Sequence, residues 1–267
     1  MQPFPINHDL HNHTYLSSCC DDVNMTAENT LAFAKEHGYN RVVFTDHFWD
    51  SNAPEPSEWY APQNLEHIRQ ILPLPTDDSV ELLFGCETEF CGGAKIGITP
   101  ENYGVFDMII VPVNHFHIEG FVRPPECDTA EKVAELLTSR LEEACMLSLP
   151  WKKIGFAHLN DGFVNGVDYN EVLRIASGAR LREVFRFLGQ NGAGVELNAA
   201  CFRPDWRENE DARLRLYRIA CEENCKFYCA SDAHAVAELA ALPERMREVA
   251  DLLELRADDL FTPTGEH

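Results

Sequence analysis

"FDMIIVPVNHFH", residues 106–117, decides how the chain is read. Met108 to Val113 is an apolar run with no polar alternation, the pattern of a strand buried on both faces rather than one with a wet side. His115 and His117 follow at once, so a buried strand delivers imidazoles where it ends.

Six other stretches share this design: INHDLHNH (6–13), RVVFTDH (41–47), VELLFGCETEF (80–90), KIGFAHL (153–159), GVELNAA (194–200) and KFYCASDAH (226–234). Helical spacing lies between them. Thr26 reads as an N-cap before "AENTLAFAKEHG", with Gly38 as the stop. Residues 129–147, 169–189 and 208–223 repeat apolar positions every three or four, and a last helix at 235–255 carries a Pro243 interruption. Seven strands alternating with helices predict a parallel α/β architecture. A closed or nearly closed barrel fits best, with an open doubly wound sheet as runner-up. The 267 residues suffice for one domain spanning 1–267. Two long connections, 48–63 (rich in Pro and aromatics) and 91–104 (rich in Gly), read as lid or substrate loops, against plain surface elaboration. Phe48, Trp49, Trp59 and Tyr60 either wall a pocket or pin the first loop.

The charge balance, 44 acidic against 22 basic residues for a net −22, repels phosphate polymers and anionic membranes. No run approaches the ~20 apolar residues of a membrane span. The N-terminus lacks the basic and apolar regions of a secretory signal, so the ten cysteines are expected to be reduced and the protein cytoplasmic. Cys221, Cys225 and Cys229 read as core residues.

Most of the 11 histidines fall at the strand ends. The first strand ends in His11 and His13, the second in Asp46 and His47, the third near Glu87 and Glu89. The fourth runs into His115 and His117, the fifth ends at His158, the sixth at Glu196 and Asn198, the seventh at Asp232 and His234. In a parallel barrel that end is the active-site face. Residues i and i+2 of a strand share a face, which explains H-x-H and D-x-H. Imidazole with carboxylate suits Zn²⁺, Mn²⁺ or Fe²⁺, and the number of ligands implies two or three metals, with Glu87 able to bridge. Glu196 and Asn198 are expected to orient ligands. His8, His37 and His67 have no place in the pattern.

In this order, H-x-H, T-D-H, G-x-E, the histidines after the fourth and fifth strands and S-D-A-H resemble the PHP (polymerase and histidinol phosphatase) family over about residues 8–235. The resemblance implies a distorted (β/α)7 barrel with up to three divalent metals and phosphoesterase activity. Carried over by position, His11, His13, Glu87 and Asp232 hold the first metal, Glu87, His115 and His158 the second, and His47 and His234 the third. One position departs from the family: Cys19 stands where the third metal usually has another ligand, often His. Thiolate is a good zinc ligand, so the third site is either intact with altered metal preference or weakened. Cys20 is expected to be structural. Between His115 and His117, the family pattern favours His115.

"GVELNAACFR" resembles the segment in which a basic residue past E-x-N contacts substrate phosphate, here Arg203; the competing role is an ion pair with a surface carboxylate. The resemblance thus implies hydrolysis of a small phosphate monoester by a metal-activated water, histidinol phosphate being one candidate. Glu87 would act through the metals, and Asp232 or His234 would move the proton. A nucleotide phosphodiesterase or nuclease and a non-catalytic metal-binding module are the alternatives; the acidity argues against a nucleic acid polymer.

Overall fold

The computed structural model describes residues 2–264. Its main sheet holds β1 (His8–Asn12), β2 (Arg41–Phe44), β3 (Glu81–Glu87), β6 (Met108–Val111), β7 (Ile154–Phe156), β8 (Gly194–Asn198) and β9 (Lys226–Ala230), neighbours in chain order and parallel throughout. An open doubly wound sheet reverses its strand order at a switch point; this one does not. Its two edges meet instead. Asn12 bridges Ala233 in parallel, and the Asp232 N–H donates to the His11 carbonyl at 2.9 Å. The result is a distorted (β/α)7 barrel.

The β9–β1 seam is where the ring is distorted. Here side chains stand in for ladder carbonyls, because a buried N–H without an acceptor is costly. Asp9 Oδ1 accepts the Ser231 N–H at 2.9 Å, and His8 Nε2 accepts the Cys229 N–H at 2.9 Å. Burial pushes His8 down to about 3, so the ring is neutral and Nε2 keeps the lone pair this bond requires. His8, without a place in the sequence pattern, thus has one in the closure of the barrel.

Leu10, Val43, Met108, Ile110 and Tyr228 fill the barrel interior. A Cβ at Gly155 of β7 would strike the Tyr228 ring, so that strand needs glycine. A second, larger cluster packs the helices onto the outside. Thr26 caps α1 (Ala27–Glu36) by accepting the Asn29 N–H at 3.2 Å, and Gly38 ends the turn at φ +72°. After the short α2 (Leu65–Ile68), α3 (Ala130–Ala144) is the helix expected over 129–147, in the crossover from β6 to β7.

The helix expected over 169–189 is two, α4 (Tyr169–Ile175) and α5 (Gly178–Asn191), because Ser177 leaves helical geometry and caps the second. Residues 208–223 likewise divide into α6 (Glu210–Arg213) and α7 (Arg215–Glu222). Pro243 starts α8 (Leu242–Leu252) rather than interrupting it; in the first turn its missing N–H has no intrahelical partner to lose.

The long loops differ in role. Phe48, Trp49 and Tyr60 are buried, whereas Trp59 is partly exposed. The 91–104 connection contains the antiparallel pair β4 (Phe90–Gly92) and β5 (Lys95–Ile96) and buttresses the first loop through Asp50. Asp50 accepts the Thr99 hydroxyl at 2.5 Å and the Asn102 amide at 2.7 Å. All ten cysteines are free thiols.

Candidate metal centre

The strand ends converge on Glu87. Its Oε2 lies 3.4 Å from both His11 Nε2 and His13 Nε2. Those two nitrogens are 3.1 Å apart, and Asp232 Oδ1 is 3.2 Å from the His13 nitrogen. Glu87 Oε1 faces the other way, 3.4 Å from His158 Nε2 and 3.8 Å from His115 Nε2. One carboxylate at the end of β3 thereby joins a group of His11, His13 and Asp232 to a group of His115 and His158. A third group takes one donor each from His13, Cys19, His47 and His234, all within 4.8 Å of one another. His117 stands outside these groups, in the cavity wall beside His115.

Two of these residues sit at positive φ, His158 at 34° and Asp232 at 52°. Such geometry costs a non-glycine residue on the order of 1–3 kcal/mol and persists only where its surroundings enforce it. Here the His158 N–H is held by Glu196 Oε2 at 2.6 Å and the Asp232 N–H by the His11 carbonyl at 2.9 Å. The turn out of the strand is what brings each side chain over the barrel mouth.

Hydrogen bonds on the far sides of the rings set their tautomers. His11 Nδ1 donates to Glu196 Oε1 at 2.6 Å, His115 Nδ1 to Glu89 Oε2 at 2.6 Å, and His158 Nδ1 to Asn114 Oδ1 at 3.1 Å. His13 Nδ1 donates to Ser17 Oγ at 3.0 Å, whose own proton goes to Asp46 Oδ1 at 2.6 Å. Asp46 is spent on this support and on Thr14. Each Nε2 is left with a lone pair aimed at the centre, the arrangement in which metal-ligating histidines are held. Asn198 links Glu196 to Asp232 Oδ2, at 3.0 Å to each.

Lone pairs from nitrogens 3.1 Å apart, beside two carboxylate oxygens, repel one another unless a cation lies between them, and the local field says the same. Burial disfavours charge on His11, yet Asp232, Glu196 and Glu87 outweigh it and hold its pKa well above the ordinary value. The same balance raises His13 and His115 to about 9. Burial would raise Glu87, but the imidazoles of His47 and His11 hold it well below the carboxylate range. His47 Nδ1 is buried, 3.0 Å from Glu87 Oε2 but without a hydrogen bond among the described residues. The donor set therefore fits divalent transition metals in the first two groups and, with its sulfur, zinc in the third. Burial of the sulfur, with the charges of Glu87 and Asp232, pushes the metal-free Cys19 thiol up. Cys20 points elsewhere; its thiol donates to the His234 carbonyl at 3.0 Å and ties the two loops together.

A cavity of about 930 Å³ opens beside the groups. Trp59, Tyr60, His117 and Phe163 form one wall, from the loops after β2, β6 and β7. Ala199, Ala237, Ala241 and Arg245 form another, from the segments after β8 and β9. The 48–63 loop thus contributes to the cavity, and 91–104 supports it from behind. Arg203 is not among the residues that line the cavity: its side chain is 63% exposed and its guanidinium lies 3.8 Å from Asp161. Asp161 also faces Arg213 at 3.4 Å.

A parallel barrel with these metal-competent groups at the C-terminal ends of its strands defines a metal-dependent phosphoesterase of the PHP type. The chain belongs to the PHP domain family, which matches residues 9–200. Its fold is similar to that of histidinol phosphate phosphatase from Lactococcus lactis subsp. lactis, solved with zinc, L-histidinol and phosphate. That likeness has a TM-score of 0.61 at 15% identity and covers 96% of this chain and 98% of the other. A Listeria monocytogenes protein described as a histidinol phosphatase gives 0.60 at 13% identity, over 87% and 97% of the two chains. At such identities the likeness shows the fold. No curated protein sequence matches the chain. Among the described residues, no helix is long and apolar enough to cross a membrane.

Proposed function

We propose that the protein, read as one domain over residues 1–267, hydrolyses a small phosphate monoester at a centre of two or three divalent metals. The observation that carries this is Glu87, whose two oxygens each face a separate group of imidazoles. In this reading His11, His13, Glu87 and Asp232 hold one metal, Glu87, His115 and His158 a second, and His47, His234 and Cys19 a third. Zinc, manganese and iron suit these donors. When bound, such metals neutralise phosphoryl charge and supply a nucleophilic water near neutral pH.

The chain's own residues do the rest. Glu87 and Glu196 fix the spacing and tilt of the imidazoles. Trp59 and Tyr60 exclude water from one side of the cavity. His234 Nδ1 is committed to the Asp232 carbonyl at 2.9 Å, so Nε2 is the atom that exchanges a proton with the leaving alkoxide whenever no metal occupies it. Asp232 takes the proton of the attacking water. Arg203 contacts the phosphate after its exposed side chain turns from Asp161, which keeps Arg213. Histidinol phosphate is one candidate substrate, supported by the shared fold and by what the Lactococcus protein holds.

Elemental analysis followed by hydrolysis of p-nitrophenyl phosphate and its bis-ester tests the reading. Metal together with monoester turnover is the expected result. Bis-ester turnover alone would indicate a phosphodiesterase, and metal with neither activity a binding module. The −22 charge weighs against a polynucleotide partner in every case.

A further inference from the structure

The proposed chemistry accounts for the metal-side half of the cavity and leaves the other half unexplained. Arg245, on α8, is the one Arg or Lys among its described lining residues. It is half-buried, and among the described residues only one of its five N–H groups has a protein acceptor, Nη1 donating to the Ala199 carbonyl at 2.9 Å. Among the described residues no carboxylate lies within ion-pair distance of its guanidinium. Arg174, Arg180, Arg186 and Arg207 all face carboxylates at 3.0 Å or less, and of the arginines without such a partner among the described residues Arg245 is the one that lines the cavity. The acidic lining residue outside the metal groups, Glu238, has its Oε2 engaged by the His234 N–H at 2.7 Å. Apart from Glu238, the lining near Arg245 is alanine, so a group entering there meets methyls and a guanidinium with free N–H groups.

An unpaired guanidinium in a cavity of an acidic protein is a selective element. It attracts what the rest of the surface repels, and its planar fork matches a carboxylate or phosphate. The Ala199 bond fixes the arginine beside the loop that follows β8, on the side of the cavity that carries Asp232 and His234.

We propose that Arg245 is a specificity-determining residue that binds a second anionic group, a carboxylate or phosphate, on the leaving-group side of the substrate. This rests on the phosphomonoesterase reading and narrows it. The substrate becomes a phosphate ester of a small alcohol that itself bears negative charge, a feature the cationic histidinol lacks.

Binding tests this independently of turnover. Metal-loaded protein is titrated calorimetrically with (2-carboxyethyl)phosphonate and (3-carboxypropyl)phosphonate, and with the near-isosteric propyl- and butylphosphonates. The wild type should bind at least one carboxylate-bearing probe about 10- to 100-fold more tightly than its alkyl partner, the range of a charge-assisted pair. Arg245→Gln should abolish that ratio, and Arg245→Lys, which keeps the charge but not the fork, should retain part of it. Equal binding of the pairs by the wild type, or the same ratio in all three proteins, would overturn the proposal. Melting temperatures of the variants separate lost anchoring from lost folding, and the lysine variant carries the test where glutamine fails to fold. Turnover of p-nitrophenyl phosphate, measured beside it, decides the phosphatase reading separately.

Discussion

The two buried groups around Glu87 and the third group at the rim are built differently. His11 and His158 are fully buried, and each has its outer nitrogen tied to a buried acceptor, Glu196 or Asn114. The third group shares His13 but otherwise uses Cys19, exposed as a residue although its sulfur is buried, a His234 side chain 31% open to solvent and held only at the Asp232 carbonyl, and a His47 Nδ1 with no hydrogen-bond partner among the described residues. Rings held from behind lose little freedom on taking a metal; a ring not held, as His47 is not, must be ordered by it. If metals occupy all three groups as proposed, the buried groups would retain theirs and the rim group would exchange.

The most damaging change should be Glu87→Gln, which removes the charge both buried groups share. Metal content should fall by more than one ion per chain and kcat by about 10³-fold or more; a variant keeping full metal content would break the distinction. Next comes Glu196→Gln, which touches no metal but holds His11 and the His158 backbone. A loss of about 10- to 100-fold in metal affinity or activity is expected from that support alone, read by competition with a chromophoric chelator. Cys19→Ser should spare the buried pair, removing one ion per chain by elemental analysis and costing roughly tenfold or less in turnover, less than loss of a buried support. With cobalt in place of zinc, a sulfur-to-metal charge-transfer band should be present in the wild type and absent in this variant. Its absence from both would remove Cys19 from the centre.

The smallest effect is on metal-free stability. His13 and His115 are raised from 6.5 to about 9 because neighbouring carboxylates outweigh the cost of burial. A group raised on folding contributes stability that is complete below 6.5 and is lost as the pH rises through 9. Metal-free protein should therefore melt some degrees lower at pH 9 than at pH 6.5, and zinc, which replaces those protons, should reverse the trend. A flat profile without metal would mean that the buried groups do not carry the field described for them.

Much of this was legible beforehand. The uninterrupted apolar run at 108–113 marks a strand buried on both faces, and six similar stretches point to a parallel sheet. H-x-H and D-x-H were readable because the pleat repeats every two residues. Less accessible were the breaks at Ser177 and Leu214, where apolar spacing runs on but a cap or a local turn ends the helix. His8 could not be assigned because its partner, Cys229, is 221 residues away. Arg203 follows the order of a motif, but its exposed side chain lies beside Asp161 outside the cavity lining, a placement that motif order does not carry. Arg245 had no motif at all; its signal lies in the carboxylate it lacks.

The sequence by itself determined the alternation of strands and helices and the arrival of metal-competent residues at each strand end; that Cys19 stands in for a customary ligand is what the resemblance to the family adds. The first two depend on periodicity and residue type, which are local. Only the tertiary structure decided that the sheet closes through Asp9 and His8, that one carboxylate serves two groups, and that Arg245 faces the cavity. Those outcomes depend on which distant atoms share a few ångströms of buried space, where an unmet donor, acceptor or charge is costly and must find its partner across the fold.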